Sequence, residues 1–206
     1  MTPAPRRLLA VIALIAACAV LAALAAWPIY RTEQLWLTVS GAALAATVIG
    51  AGRTLFRWRA STVLIAASLT LVVLIVPLGV PGAIPGGPRA WLRALGDGLA
   101  AIILGWKQLL TLTLPVGDYQ AVLVPLLVTV YAAALAAVLL ATGPRRRAGW
   151  AVLPLGLPIL FGTVFGASET SAPLALPGGL LLPAPRELGI WSLGFLLALL
   201  WVRVVT

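Results

Sequence analysis

From Leu8 to Tyr30 the chain runs through 23 residues without a charged or amide side chain. As a helix rising 1.5 Å per residue, such a run is long enough to cross a hydrocarbon core of about 30 Å. Five more runs of the same kind follow, over 35–52, 61–80, 121–142, 150–167 and 189–205, and the only charge inside them is Arg203. Backbone N–H and C=O groups find no partner in lipid, so a spanning segment bonds them within itself, as a helix does. Charged residues make up 9% of the chain, against roughly 25% in a soluble domain. The expected fold class is therefore all-α: a polytopic membrane protein with six transmembrane helices in one helical membrane domain, 1–206, whose first partner is the lipid bilayer.

The runs differ in ways that bear on packing. The first ends in Trp27 and Tyr30, amphipathic rings that favour the headgroup level. The second is rich in Ser40, Gly41, Ala42, Ala45, Ala46 and Gly50, and small residues let helix backbones approach, so it is expected near the centre. The fifth carries Pro154 and Pro158, which remove backbone donors and should kink it, and Gly162 and Gly166, a GxxxG spacing that fits close helix packing. Between the third and fourth runs, Pro81 to Pro88 holds three prolines and three glycines and is not expected to be regular helix.

The segment from about 90 to 114 is the hardest to place. Wound as a helix, it sets Arg93, Asp97, Leu104, Lys107, Gln108 and Thr111 near one stripe. Trp91, Leu92, Leu95, Leu99, Ile102, Ile103, Trp106, Leu109 and Leu110 fall opposite, and Arg93 and Asp97 form an i,i+4 pair. This pattern predicts an interfacial amphipathic helix lying apolar face down. The other reading is a span from Leu99 to Leu114, which would place Lys107 near mid-bilayer at a cost of about 2.5–3.5 kcal/mol.

Basic residues stand in the short connections: Arg6 and Arg7 in the lead, Arg53, Arg57 and Arg59 after the second run, and Arg145, Arg146 and Arg147 after the fourth. With the N-terminus inside, these and Arg203 place nine of fourteen basic residues on the cytoplasmic side and all five acids outside. The positive-inside rule counts short-loop Lys and Arg in this way. The expected location is a bacterial cytoplasmic (inner) membrane, multi-pass, with N- and C-termini both cytoplasmic; the Ala-, Leu- and Arg-rich, Lys-poor usage points to a GC-rich bacterial source. The same distribution argues against a nucleic-acid partner despite the net charge of +9, since the arginines are spread through loops between apolar spans.

Little chemistry is on offer. There is no histidine, which removes an imidazole base or ligand. The single cysteine, Cys18, permits no internal disulfide and has no basic neighbour to activate it. Arg6-Arg7 followed by an apolar stretch up to Cys18 has the outline of a lipoprotein signal. The residues after Cys18, however, stay apolar where a mature region would turn polar, so Cys18 reads as a small hydrophobe in a span. Thr47, Ser68, Thr70, Thr129, Tyr131 and Thr163 are expected to bond locally or between helices. No catalytic, metal or cofactor-binding residue is assigned, and no cofactor is expected.

One stretch has a wider likeness. Gly105-Trp106-Lys107-Gln108-Leu109-Leu110-Thr111, then Leu114-Pro115-Val116, then Ala121-Val122-Leu123-Val124-Pro125 resembles the N-terminal membrane domain of bacterial, especially actinobacterial, transglutaminase-like membrane proteins. The basic turn at Arg145 to Arg147 and the proline-bearing span ending in Phe161-Gly162 and Phe165-Gly166 extend the resemblance over most of the chain. The motif positions are Gly105, Trp106, Leu109, Leu110, Thr111, Pro115 and Pro125. The resemblance implies a further span, a downstream extracytoplasmic transglutaminase-like (papain-like cysteine) domain with a Cys-His-Asp triad, and a last anchor. None of that triad maps onto this sequence, so the chain is not expected to be an enzyme itself; it reads as the membrane-anchoring fragment of such an envelope protein. Two other readings stand beside it: a stand-alone scaffold whose 90–114 segment docks a partner or other envelope proteins, and a permease-type subunit with the Pro154/Pro158 helix as its moving element.

Overall fold

Each apolar run winds into helix, and in the computed structural model six helices are long and apolar enough to cross a membrane. The structure describes residues 3–175, 177 and 181–205, with side chains from Arg6 onward, Arg145 excepted. In order the elements are α1 (Pro3–Tyr30), α2 (Gln34–Leu55), α3 (Ala60–Leu74), α4 (Gly87–Thr111), α5 (Val124–Ala141), the single turn α6 (Arg145–Ala148), α7 (Val152–Phe165) and α8 (Pro185–Val205). The chain is thus a nearly all-α multi-pass membrane protein. Among the described residues the one β pairing is a short hairpin before α8, Leu174 with Leu182 and Ala175 with Leu181 antiparallel.

Four helices make the centre. α1 packs along α7, α2 along α5, and α5 also meets α7 and α1. Lipid supplies no hydrophobic drive for helix association, so close backbone approach and interhelical hydrogen bonds carry it. Gly162 of α7 lies directly on α1: a Cβ there would stand 2.5 Å from the Ala25 carbonyl carbon and 2.6 Å from the Ala26 nitrogen. Gly50 of α2 meets Val138 of α5 in the same way, at 2.6 Å. α3 and α8 are peripheral: only Val63 and Ala67 of the first, and Ile190, Trp201 and Val205 of the second, are buried. Their exposed Leu64, Ile65, Leu69, Phe195 and Leu199 would be a liability in water and are ordinary lipid contacts in a bilayer.

Several boundaries depart from the sequence reading. The third run does not: α3 continues through a π turn at Ile75–Gly79 that takes in Pro77, close to the expected end at 80, and a 3-10 turn at Pro81–Gly86 stands where regular helix was not expected. Pro88 opens α4, where an absent N–H leaves no bond broken. Pro154 likewise stands in the first turn of α7, so of the two prolines in that run only Pro158 is interior. The fourth spanning helix begins at Val124, because 121–123 form a turn. Arg93 and Asp97 make no ion pair: among the described residues the pairs are Arg31–Glu169 and Arg186–Glu187.

Candidate functional site

The bundle has two unlike ends. One, the basic end, carries the first turns of α1, the α2–α3 loop, α6 and the last turn of α8. The other carries the α1–α2 turn, the end of α3, the start of α5 and the end of α7, and α4 lies across it.

The path of α4 follows from its partners. Its buried residues are Ala94, Gly98, Ala101, Gly105 and Leu109, a single stripe of mostly small side chains. Gly98 sits under Ile75 and Val80, at the end of α3. Gly105, about 10 Å further along, sits under Pro125 in the first turn of α5, whose ring would stand 2.8 Å from an added Cβ. The next residue, Trp106, meets Phe161 edge-on at a centroid distance of 5.6 Å and Phe165 at 6.0 Å, both near the end of α7. Its indole N–H donates to the Ile102 carbonyl at 2.9 Å, which satisfies the nitrogen inside the helix and leaves the ring free to pack. All these partners belong to one end of the bundle. α4 therefore crosses over that end rather than running down through it, and Lys107 is exposed. The broad apolar face, with Leu92, Ile103 and Leu110 among the most exposed side chains, points away from the protein. The inner face is the small-residue stripe that the sequence reading passed over; its signal, small residues at Ala94, Gly98, Ala101 and Gly105, was present but outweighed by the larger side chains.

Hydrogen bonds tie the loops of this covered end together. The Val116 amide donates to the Ile29 carbonyl at 2.8 Å, and the buried Tyr30 hydroxyl donates to the Val122 carbonyl at 3.1 Å. Gln34 and Thr38 of α2 donate to the carbonyls of Pro77 (3.2 Å) and Leu78 (2.6 Å), partnering groups left free where α3 ends. Arg31 bonds Glu169 at 3.1 Å, and Ser171 donates its hydroxyl to Glu187 at 2.6 Å while accepting from the Arg186 amide at 3.2 Å. The first of these bonds ties Glu169 to the α1–α2 turn, and the others hold Ser171 on the first turn of α8.

Between α4, the 3-10 turn and the 118–121 turn lies a cleft of about 530 Å³. Its floor is Ala94, Ala101 and other small residues, and Arg93, Asp97, Gln108, Asp118 and Gln120 stand around it. It offers two carboxylates, two amides and one guanidinium to an incoming group, all solvent-facing. Among the described residues no three metal-ligating side chains come together.

The residues singled out in the sequence fall into three places. Of the motif positions, Gly105, Leu109 and Pro125 are buried and Trp106 half-buried, all on the α4 crossing. Leu110, Thr111 and Pro115 are exposed, and Thr111 spends its hydroxyl on the Gln108 carbonyl at 3.0 Å. Gly162 packs on α1, while Gly166 ends α7 with Ile29 of α1 at 3.5 Å from a Cβ position. Arg6, Arg7, Arg53, Arg57, Arg59, Arg146 and Arg147 all stand at the basic end; Arg145 begins α6, and its side chain lies outside the described residues. No family model, curated protein or solved structure matches the chain.

Proposed function

We propose that this chain is the membrane-anchoring domain of a transglutaminase-like envelope protein in a bacterial cytoplasmic membrane, with the basic end in the cytoplasm and the α4-covered end outside. The observation that supports it is the meeting of the resembling segments in space. Gly105 lies on Pro125, Trp106 on Phe161 and Phe165, and Val116 on Ile29, so residues far apart in the chain form one packed corner at the covered end. A rigid, hydrogen-bonded outer face is what an anchor needs if it is to hold a catalytic domain at a set height above the bilayer rather than tether it loosely. The orientation follows from the basic connections, which favour the cytoplasmic side.

The test is the native gene in its source cell. Reading the frame past codon 206 and finding a Cys-His-Asp transglutaminase-like domain, held outside the membrane by protease-accessibility assay, supports the reading. A frame that carries no such domain, or one held on the cytoplasmic side, overturns it. The open polar cleft favours a second reading, a scaffold that docks an envelope partner along α4. In-cell photo-crosslinking from position 108 separates the two, since a scaffold yields an adduct with a separate polypeptide.

A further inference from the structure

The net charge of +9 is not spread over the molecule. The covered end holds five basic residues (Arg31, Arg89, Arg93, Lys107, Arg186) and all five acids, and so balances to zero. The whole excess belongs to the nine arginines of the basic end, where the sequence places no carboxylate side chain. Both ion pairs among the described residues are at the other end.

We propose that the basic end is a binding surface for the phosphate headgroups of anionic phospholipids, centred on the Phe56–Arg59 loop and continuing over α6. The loop is a fixed element. Trp58 lies against Gly52, its ring 3.0 Å from a Cβ position there, and Phe56 stacks with Trp58 at 6.1 Å between centroids. Arg57 stands between the two rings in the chain and Arg59 follows them, and both are exposed. The neighbouring patch is held with equal firmness: Gly50 against Val138 brings the ends of α2 and α5 together, and the Trp201 indole donates to the Ala148 carbonyl at 2.8 Å, pinning α6 to α8. Arg146 and Arg147 project from that pinned turn. A guanidinium offers paired N–H donors matched to a phosphate, and several on a rigid frame lose little freedom on binding one.

The side chains between the arginines select a lipid over an acidic soluble protein. Leu55, Phe56 and Trp150 are 66%, 70% and 61% exposed at this end, beside the cations and at the termini of spanning helices. Apolar bodies at that level meet the first methylenes of acyl chains while the arginines meet phosphates, and an acidic protein surface would leave them unmatched.

The test uses the purified full chain in a neutral detergent, titrated with dioleoyl phosphatidylglycerol or dioleoyl phosphatidylcholine and read by native mass spectrometry. We expect the anionic lipid to bind about tenfold tighter, and this preference to collapse at high salt, where exposed charges are screened. The combined Arg57→Gln, Arg59→Gln, Arg146→Gln and Arg147→Gln variant should lose it. Arg89→Gln, Arg93→Gln and Lys107→Gln together, which remove exposed cations from the other end, should leave it intact. Equal binding of the two lipids by the unmodified chain overturns the proposal. So does a preference that survives the basic-end variant, one that disappears with the other-end variant, or one that is indifferent to salt. The salt titration needs no variant, and a preference indifferent to salt overturns the proposal even if a substituted chain fails to fold.

Discussion

A single carbon atom is enough to disturb the α1–α7 crossing. Gly162 faces backbone, not the flexible end of a side chain, so nothing nearby can step aside for a methyl group. Gly162→Ala should lower stability by about 1–3 kcal/mol, the usual cost of overpacking, read as a fall in thermal midpoint in detergent. Gly156→Ala, on the same helix with open space around it, should leave the midpoint unchanged or slightly raised. Equal effects at the two positions would mean that α1 and α7 do not touch as described. The polar side chains obey the same local economy. Thr47, Thr129 and Thr163 return their hydroxyls to carbonyls of the preceding turn, at 2.6, 2.7 and 3.0 Å, while Tyr131 reaches across to the Ala67 carbonyl of α3 at 3.0 Å. That these hydroxyls would bond within or between helices was legible from residue type; which of the two each does was not. Nor was the identity of the carbonyl that Tyr131 finds, because it depends on which helix lies alongside.

At the scale of elements, α4 is the informative one. Its amphipathic pattern marks it off from the spanning helices, and the cost of burying Lys107 argues against a seventh crossing. What the pattern could not convey is that the face with the largest apolar residues would turn outward and the small-residue stripe inward. Large side chains read as core in a water-soluble protein; beside lipid they are equally at home outside, and close packing favours alanine and glycine instead. Trp106 is half-buried at the edge of that stripe, and its two phenylalanines are the main aromatic anchorage of α4 on α7. Trp106→Ala should therefore loosen the docking of α4 by about 1.5 kcal/mol. Backbone hydrogen exchange over 87–111 should speed up roughly tenfold while α2 and α5 stay protected. Faster exchange throughout the bundle would show instead that Trp106 supports the fold as a whole.

For the whole molecule, the checkable quantity is sidedness. In a Cys18→Ala background, Asp118→Cys should react with a membrane-impermeant thiol reagent in intact cells and Arg146→Cys should react only after permeabilisation; both positions are exposed, so access to the side chain itself is not limiting. The opposite labelling pattern would reverse the orientation and with it the proposed placement of a catalytic domain. The α1 run from Arg6 to Tyr30 separates the two ends by about 36 Å, so the reagent cannot reach both from one side.

The sequence by itself determined the solvent, the class and six long uncharged runs, because burying a charge in lipid is costly, but it left the 90–114 segment open between an interfacial and a spanning helix. It also determined which connections are basic. Only the tertiary structure decided which helices are central, that α4 crosses the covered end on its small residues, and that Gly105, Pro125, Trp106, Phe161 and Phe165 form one corner. Those outcomes rest on fits of a few ångströms between segments distant in the chain, and hydropathy does not encode them: to a bilayer, one face of an apolar helix is much like another, and shape chooses between them.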